Sequence, residues 1–272
     1  IDNCQIATSL HLASQAGGIC IGMQLYLPRQ WAESPRRREK AGIPDEVQFN
    51  EKWKTALELL ERAQSWRLSR MPRIVVADAG FGDVGAFRAG LRDLGLCYVV
   101  GIASGPAVWP PGVSPLPPPD RKPGQTGRPK TKWSYPKTGQ RPVSIGELSK
   151  TLSRSDFRRV TWGEGTKGKQ SSRFAFLRIR TAHRHPYNPP GEEEWLIMEW
   201  PDRADHPTTF YLSNLPVETP RKRLVYLAKV RWRIERDYQE MKGELGLDHF
   251  EGRGWRGFHH HVACVAAAHA FI

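Results

Sequence analysis

Between residues 73 and 102 the chain sets out a strand, a helix and a second strand with only short turns between them. Arg73-Ile-Val-Val-Ala-Asp78 is a short apolar run, the pattern of a strand covered on both faces. Ala79-Gly80-Phe81-Gly82 turns the chain. Asp83 is placed to cap a helix running to about Leu94, and Gly95 is placed to end it. Cys97 to Ile102 is again a continuous apolar strand. Strands separated by helices at this spacing pair in parallel, which commits this region to an α/β layer. Upstream, residues 4–13 alternate apolar and polar side chains as a half-buried strand does. Gly17-Gly18 turns, Ile19 to Leu27 returns, and a hairpin is expected. Pro28 to Ile43, with Arg36-Arg37-Arg38, reads as a basic surface loop. A helix from about Asn50 to Trp66 follows, with Phe49, Trp53, Ala56, Leu57, Leu60 and Ala63 on one face.

Beyond residue 103 the texture changes. Pro106 to Pro123 holds eight prolines in 18 residues, which excludes helix and central strand. Gly124 to Lys137 is a basic, glycine-punctuated loop containing Gly127-Arg-Pro-Lys-Thr-Lys-Trp133. Four short alternating runs follow: Arg158 to Trp162, Arg173 to Thr181, Glu194 to Trp200 and Thr208 to Leu212. They predict an antiparallel β-rich insertion over about residues 104–215. Thr219-Pro220 starts a helix, with a capping hydroxyl and proline at the first helical position. That helix is expected to run through Leu245 and to end at Gly246, and a last helix covers about Phe258 to Phe271. The expected division is 1–103, the N-terminal part of an α/β domain; 104–215, the proline-rich loop and β-rich insertion; and 216–272, a helical part completing the first.

The helix after Pro220 carries Arg231-Trp-Arg-Ile-Glu-Arg-Asp-Tyr-Gln-Glu-Met-Lys242. Arg231, Glu235, Tyr238 and Lys242 follow at i, i+4, i+7 and i+11 and share one face. A carboxylate between fixed cations can hold a metal while its neighbours hold phosphates. The plainer reading of Glu235 is an i−4 salt bridge to Arg231 on a solvated face, of small energetic worth. Asp78 shifts the balance. It ends a buried strand just before a glycine turn, where ligands gather in open α/β sheets. Phosphoryl transfer on two metal ions needs carboxylates from distant segments, as Asp78 and Glu235 are. Arg231 and Lys242 would then hold phosphate oxygens, with Tyr238 alongside.

Composition agrees with a polyanionic partner: 41 Lys+Arg against 28 Asp+Glu give a net charge of +13. No apolar run approaches the roughly 18 residues of a membrane span, and no signal peptide is visible. Cys4, Cys20, Cys97 and Cys264 include no CxxC pair and read as reduced, mostly buried thiols. His259-His-His261 point about 100° apart on a helix and cannot easily share one ion, so they read as surface or DNA-facing residues.

Asp78-Ala-Gly-Phe-Gly, a β-rich insertion, and then Arg231, Glu235 and Lys242 resemble a bacterial insertion-sequence DDE transposase. The spacing matches the Tyr-x2-Arg-x3-Glu-x6-Lys signature of the insertion-sequence-four superfamily, except that Ala228 occupies the tyrosine position. Leu25-Tyr-Leu-Pro28, Trp195-Leu-Ile-Met-Glu-Trp-Pro201, Gly246-Leu-Asp-His-Phe-Glu-Gly-Arg253 and Trp255-Arg-Gly-Phe-His-His-His261 are similar to this group as well. The resemblance implies an α/β, RNase H-like mixed sheet flanked by helices and interrupted by the β-rich insertion. It implies Mg²⁺ (or Mn²⁺) held by three acids, of which Asp78 is the second and Glu235 the third. The first acid should lie on a strand preceding residues 4–13; Asp2 comes too late for it. The implied protein is therefore a fragment of a cut-and-paste transposase, inactive in strand cleavage by itself. Alternatives are a catalytically dead DNA-binding remnant and an RNase H-like nuclease or resolvase. Its partners would be DNA, as transposon terminal inverted repeats and target, and a second copy in a DNA-bound homodimer. No membrane is involved, and the location would be the bacterial cytoplasm at the nucleoid. Relatives place an aromatic against an unstacked hairpin base, which makes Trp162 a DNA-binding candidate beside Trp133; packing within the β-insertion is the plainer role. Arg128, Lys130 and Lys132 are expected to contact phosphates.

Overall fold

The computed structural model describes residues 5–66, 71–121, 124, 126–165 and 168–272. Asp2, Cys4, and Lys122 and Pro123 at the end of the proline-rich stretch, lie outside the described residues. The chain forms two compact units: Ile1–Arg73 with Val230–Ile272, and Ile74–Lys229.

The first unit opens with the expected hairpin, β1 (Ala7–Ala13) and β2 (Gly18–Leu25), paired antiparallel from Ala7↔Leu25 to Ala13↔Gly18. The segment after it is not a loop. It holds α1 (Arg29–Ala32) and α2 (Pro35–Ala41), and Leu27, Ala32, Ala41 and Ile43 close over a small core. The cause is local. Ser34 accepts a hydrogen bond from the Arg37 amide, Pro35 takes the first helical position, and Gly42 ends the helix in the left-handed region at φ 60°. Arg38, for all its charge, turns inward and donates to the carbonyls of Pro44 and Val47. In α3 (Lys52–Ser65) the buried stripe is Thr55, Leu59 and Ala63. The helix is thus rotated from the expected face, with Ala56 and Leu60 at the flank.

The second unit is built on β3 (Ile74–Ala77) and β4 (Cys97–Ile102), parallel in register from Ile74↔Cys97. Between them lie a single turn, α4 (Ala79–Gly82), and α5 (Gly85–Asp93), after which Gly95 turns at φ 68°. β3 is half-buried rather than covered on both faces, and among the described residues it pairs with β4 alone, at the edge of the sheet. Within the proline-rich stretch a short central strand survives. β5 (Ala107–Trp109) fits between Pro106 and Pro110, and its Val108 and Trp109 are fully buried. It pairs with β6 (Val143–Ser144) on one side and β8 on the other. Ser144 also opens α6 (Ile145–Lys150) through a capping box with Glu147.

The four alternating runs are all strands: β7 (Arg158–Gly165), β8 (Gly168–Thr181), β9 (Glu193–Trp200) and β10 (Thr209–Ser213). They are antiparallel to their neighbours and continuous with the α/β part, since β10 pairs with β4. The result is one mixed sheet in the order β3-β4-β10-β9-β8-β5-β6, with β7 on β8. Helix α7 (Arg221–Val230) covers one face. Its Leu224, Val225, Leu227 and Ala228 pack with Val99, Phe174, Trp195 and Ile197. Burying each such side chain contributes about 1.5–3 kcal/mol before chain entropy is set against it. Strand alternation turns Tyr98 and Val100 to the other face, where α5 packs on β4. The expected mixed α/β sheet flanked by helices is the observed one.

The long helix expected over 219–245 is two helices. α7 stops at Val230, Arg231 intervenes, and α8 (Trp232–Gly243) follows within the first unit. Gly246, at φ 67°, closes the turn after α8, and the Leu247 amide donates to the Met241 carbonyl. α9 (Trp255–Phe271) completes this unit.

Candidate functional site

Asp78 stands at the carboxyl end of β3, exposed, and is the N-cap of α4; its Oδ1 accepts a long hydrogen bond of 3.4 Å from the Phe81 amide. The helix-capping role expected of Asp83 is thus taken by Asp78, at the short helix before it. Asp83 accepts from the Ala103 amide at 2.8 Å, and α5 begins at Val84 with no side-chain cap. Asp78 makes no ion pair among the described residues and has an oxygen to spare.

Two glycines fix this turn. A Cβ on Gly82 would come within 1.8 Å of the Gly101 carbonyl oxygen, and one on Gly101 within 2.9 Å of the Ala79 amide nitrogen. The turn therefore lies flat on β4 with main chain against main chain. The buried Arg88 guanidinium donates to the Gly82 carbonyl from α5 and holds the turn from its other end. Arg92, one turn further along α5, lies 3.5 Å from the buried Glu194, which also accepts from the Tyr98 hydroxyl at 2.8 Å. Burial pushes the Glu194 carboxyl above the usual range, and the neighbouring arginines pull against that.

In the first unit, Glu235 sits in the first turn of α8, its side chain 62% exposed, and binds Arg231 at 2.6 Å. Tyr238 from the same stripe turns inward, donating to Ser9 Oγ at 2.8 Å, and burial raises its phenol. Lys242 is exposed. The structure thus joins Arg231 to Glu235, gives Tyr238 to the hairpin, and leaves Asp78 in the other unit. Arg128, Lys130 and Lys132 are exposed on their loop, with Lys132 Nζ 4.9 Å from the Tyr187 ring centroid. Trp162 is half-buried on β7, edge-on to Phe174 at 5.8 Å and under the Lys229 ammonium at 5.1 Å.

The three histidines are not a uniform surface group. His259 contacts the Trp255 carbonyl at 2.9 Å, and His261 contacts the Gly246 carbonyl at 3.0 Å while stacking on Phe250. His260 alone is exposed, beside the exposed Cys264. Cys20 is a buried free thiol, pushed up to about 11 by that burial, and Cys97 is half-buried and free.

A network absent from the sequence reading lies beside Tyr238. His11 on β1 and Asp237 on α8 meet at 2.9 Å, with side chains 0% and 2% exposed. The other imidazole nitrogen reaches Ser9 Oγ at 3.1 Å. Burial lowers the His11 imidazole, and the Asp237 carboxylate opposes this. Gly18 makes room for the pair, since a Cβ there would lie 2.2 Å from Asp237 Oδ2. No spacing rule joins residues 226 positions apart.

Comparison with known proteins decides the family. The family model described as DDE superfamily endonuclease matches residues 1–169 of the 272. The chain belongs to this family. A search of curated proteins finds no match. The match includes Asp78 with its β3–α4–α5–β4 frame, and ends before Glu235. The mixed sheet flanked by helices is consistent with the RNase H-like DDE fold. Membership makes the chain a transposase-type nuclease by family, with DNA as substrate class and divalent metal ions as the usual cofactor. The donor chemistry suits such ions. Asp78 and Glu235 each offer exposed carboxylate oxygens, the ligands hard divalent cations take. Among the described residues no helix is long and apolar enough to cross a membrane.

Proposed function

We propose that this chain is catalytic-domain sequence of a cut-and-paste DDE transposase of the insertion-sequence-four superfamily, acting on transposon ends and target DNA. Asp78 is the second acid of its metal site and Glu235 the third, with Mg²⁺ or Mn²⁺ as the ion. The observation that supports this most is Asp78 itself. It is an exposed carboxylate, without an ion pair among the described residues, at the carboxyl end of a parallel strand inside the segment that matches the family. When bound, a divalent ion would supply Lewis-acid activation of water and of a 3′-hydroxyl for strand cleavage and transfer.

The residues of the chain do the positioning. Arg231 holds the Glu235 carboxylate by one oxygen and leaves the other to accept a ligand. Lys242, two turns on and exposed, is a point charge for a phosphate oxygen. Arg128, Lys130 and Lys132 add phosphate contacts that set register without reading sequence. Trp162, half-buried, is the aromatic offered to an unstacked base. The division into 1–103, 104–215 and 216–272 is retained as a functional one: acid and frame, DNA-contacting insertion, third acid. Synapsis of two transposon ends calls for a homodimer on DNA.

The test is metal-dependent nicking of supercoiled DNA by the intact gene product, with DNA affinity measured in parallel. Asp78→Asn and Glu235→Gln should each reduce nicking at least 100-fold while affinity in the absence of metal stays within twofold. Undiminished nicking by either variant overturns the assignment. Salt-sensitive binding by a wild-type protein that does not nick would leave the DNA-binding remnant as the reading.

A further inference from the structure

The acids proposed for strand cleavage are not the only metal-ligand set in the molecule. Asp237, Glu240 and His269 each present a ligand atom, all within 4.8 Å of one another. We propose that these three residues form a second cation site within the first unit, taking a zinc-class divalent ion and tying α8 to α9.

Three observations carry the assignment. Asp237 and Glu240 lie one turn apart on α8 and share a face, and His269 approaches from the last turn of α9. The His269 side chain is 7% exposed, yet neither ring nitrogen is well partnered. Nδ1 has no hydrogen-bond partner among the described residues, and Nε2 lies 3.3 Å from Glu240 Oε2, longer than a charge-assisted bond. An unpaired nitrogen on a buried imidazole is costly, and a single contact of 3.3 Å leaves Nε2 available as a ligand. That 3.3 Å separation is also what two ligands on one tetrahedral ion require, given bonds of about 2.0–2.2 Å.

The third observation is the support behind the ligands. His11 holds Asp237 Oδ2 at 2.9 Å, Ser9 holds His11, and Tyr238 donates to Ser9. A hydrogen-bonded relay of this kind orients a ligating carboxylate. Arg236 likewise grips Glu240 Oε1 at 2.6 Å and leaves Oε2 toward His269. Glu240 is 42% exposed, so an ion can reach the site from solvent. One nitrogen and two oxygen donors favour zinc or its transition-metal neighbours over Mg²⁺.

The probe is Co²⁺, read by its visible absorption on the intact gene product and displaced by Zn²⁺, with Zn²⁺ affinity from calorimetry. Wild type should bind an ion whose spectrum reports nitrogen and oxygen ligation, distinct from any ion held by the oxygen-only cleavage acids. Glu240→Gln and His269→Gln should each weaken it at least tenfold, while Asp78→Asn and Glu235→Gln leave it unchanged. The latter pair separates this site from the proposed cleavage site, so either can fail without the other. Glu240 is on the surface, so its variant decides if His269→Gln does not fold. Absence of binding by wild type, wild-type affinity in Glu240→Gln, or binding lost only with Asp78 or Glu235 overturns the proposal.

Discussion

Replacing Gly82 by alanine should lift the turn that carries Asp78 off the sheet. The new methyl would lie 1.8 Å from the Gly101 carbonyl oxygen, 3.0 Å from its carbon and 3.1 Å from Val100 Cβ. Real Cβ contacts under 3.0 Å essentially never occur, so the backbones must separate by more than about 1 Å. The obstacle is main chain in β4, fixed by pairing of Gly101 with Tyr211 on β10, and cannot swing aside as a side chain would. Overpacking of this kind costs about 1–3 kcal/mol. Alanine's better helix propensity returns up to about 1 kcal/mol. The net loss should be about 1–2 kcal/mol, read as a lowered urea midpoint by circular dichroism. Gly85→Ala is the matched control. It lies in α5, where the nearest atom to the new methyl is Arg88 Nη2 at 3.9 Å, and it should be neutral or slightly stabilising. If Asp78 holds metal, a 1 Å displacement should also reduce cleavage about 100-fold. A Gly82→Ala protein with the wild-type midpoint would refute the close-contact argument outright.

Two further outcomes follow from charge. Burial holds His11 below its ordinary value of 6.5, so the unfolded chain accepts a proton that the folded one resists. The stability from this group is complete above about pH 6.5 and is lost as pH falls through the lower folded value. The melting temperature of wild type should therefore drop between pH 7 and pH 5 more than that of His11→Gln; parallel profiles would contradict this. The second concerns DNA. Affinity measured by fluorescence anisotropy should fall steeply with salt, and Arg128, Lys130 and Lys132 changed together to alanine should flatten the log–log slope by about 0.9 per lost phosphate contact. An unchanged slope removes that loop from the interface.

Strands in this chain were readable wherever side chains alternate or run apolar. β3, β4 and β7 to β10 all lie within a few residues of where pattern places them, but spacing could not show that β10 pairs with β4. The misses have local causes. Three arginines in a row disguised α2, although Ser34-Pro35 and Gly42 are a complete set of helix-ending signals. Eight prolines hid β5, because a strand of three residues needs only the gap between Pro106 and Pro110. Asp78 and Asp83 stand five positions apart in similar surroundings, and which one caps a helix depends on the turn's hydrogen bonds. Glu235 and Arg231 could be paired from spacing alone. His11 with Asp237, and His269 with Glu240, could not, since they meet only once distant segments have packed.

The order in which the two units are written along the chain has a consequence during synthesis. The unit Ile74–Lys229 is contiguous and can complete its sheet as soon as it leaves the ribosome. Its neighbour is interrupted: the hairpin and α3 emerge first, then wait while the intervening 156 residues are made, about 10–30 s at typical elongation rates. Only afterwards do α8 and α9 arrive to bury His11 and Cys20. Glu235 is made after the whole of the contiguous unit, so a nascent chain presents Asp78 on a finished frame well before Glu235 is added. If Glu235 is the third acid as proposed, the site can close only after the frame around Asp78 is complete.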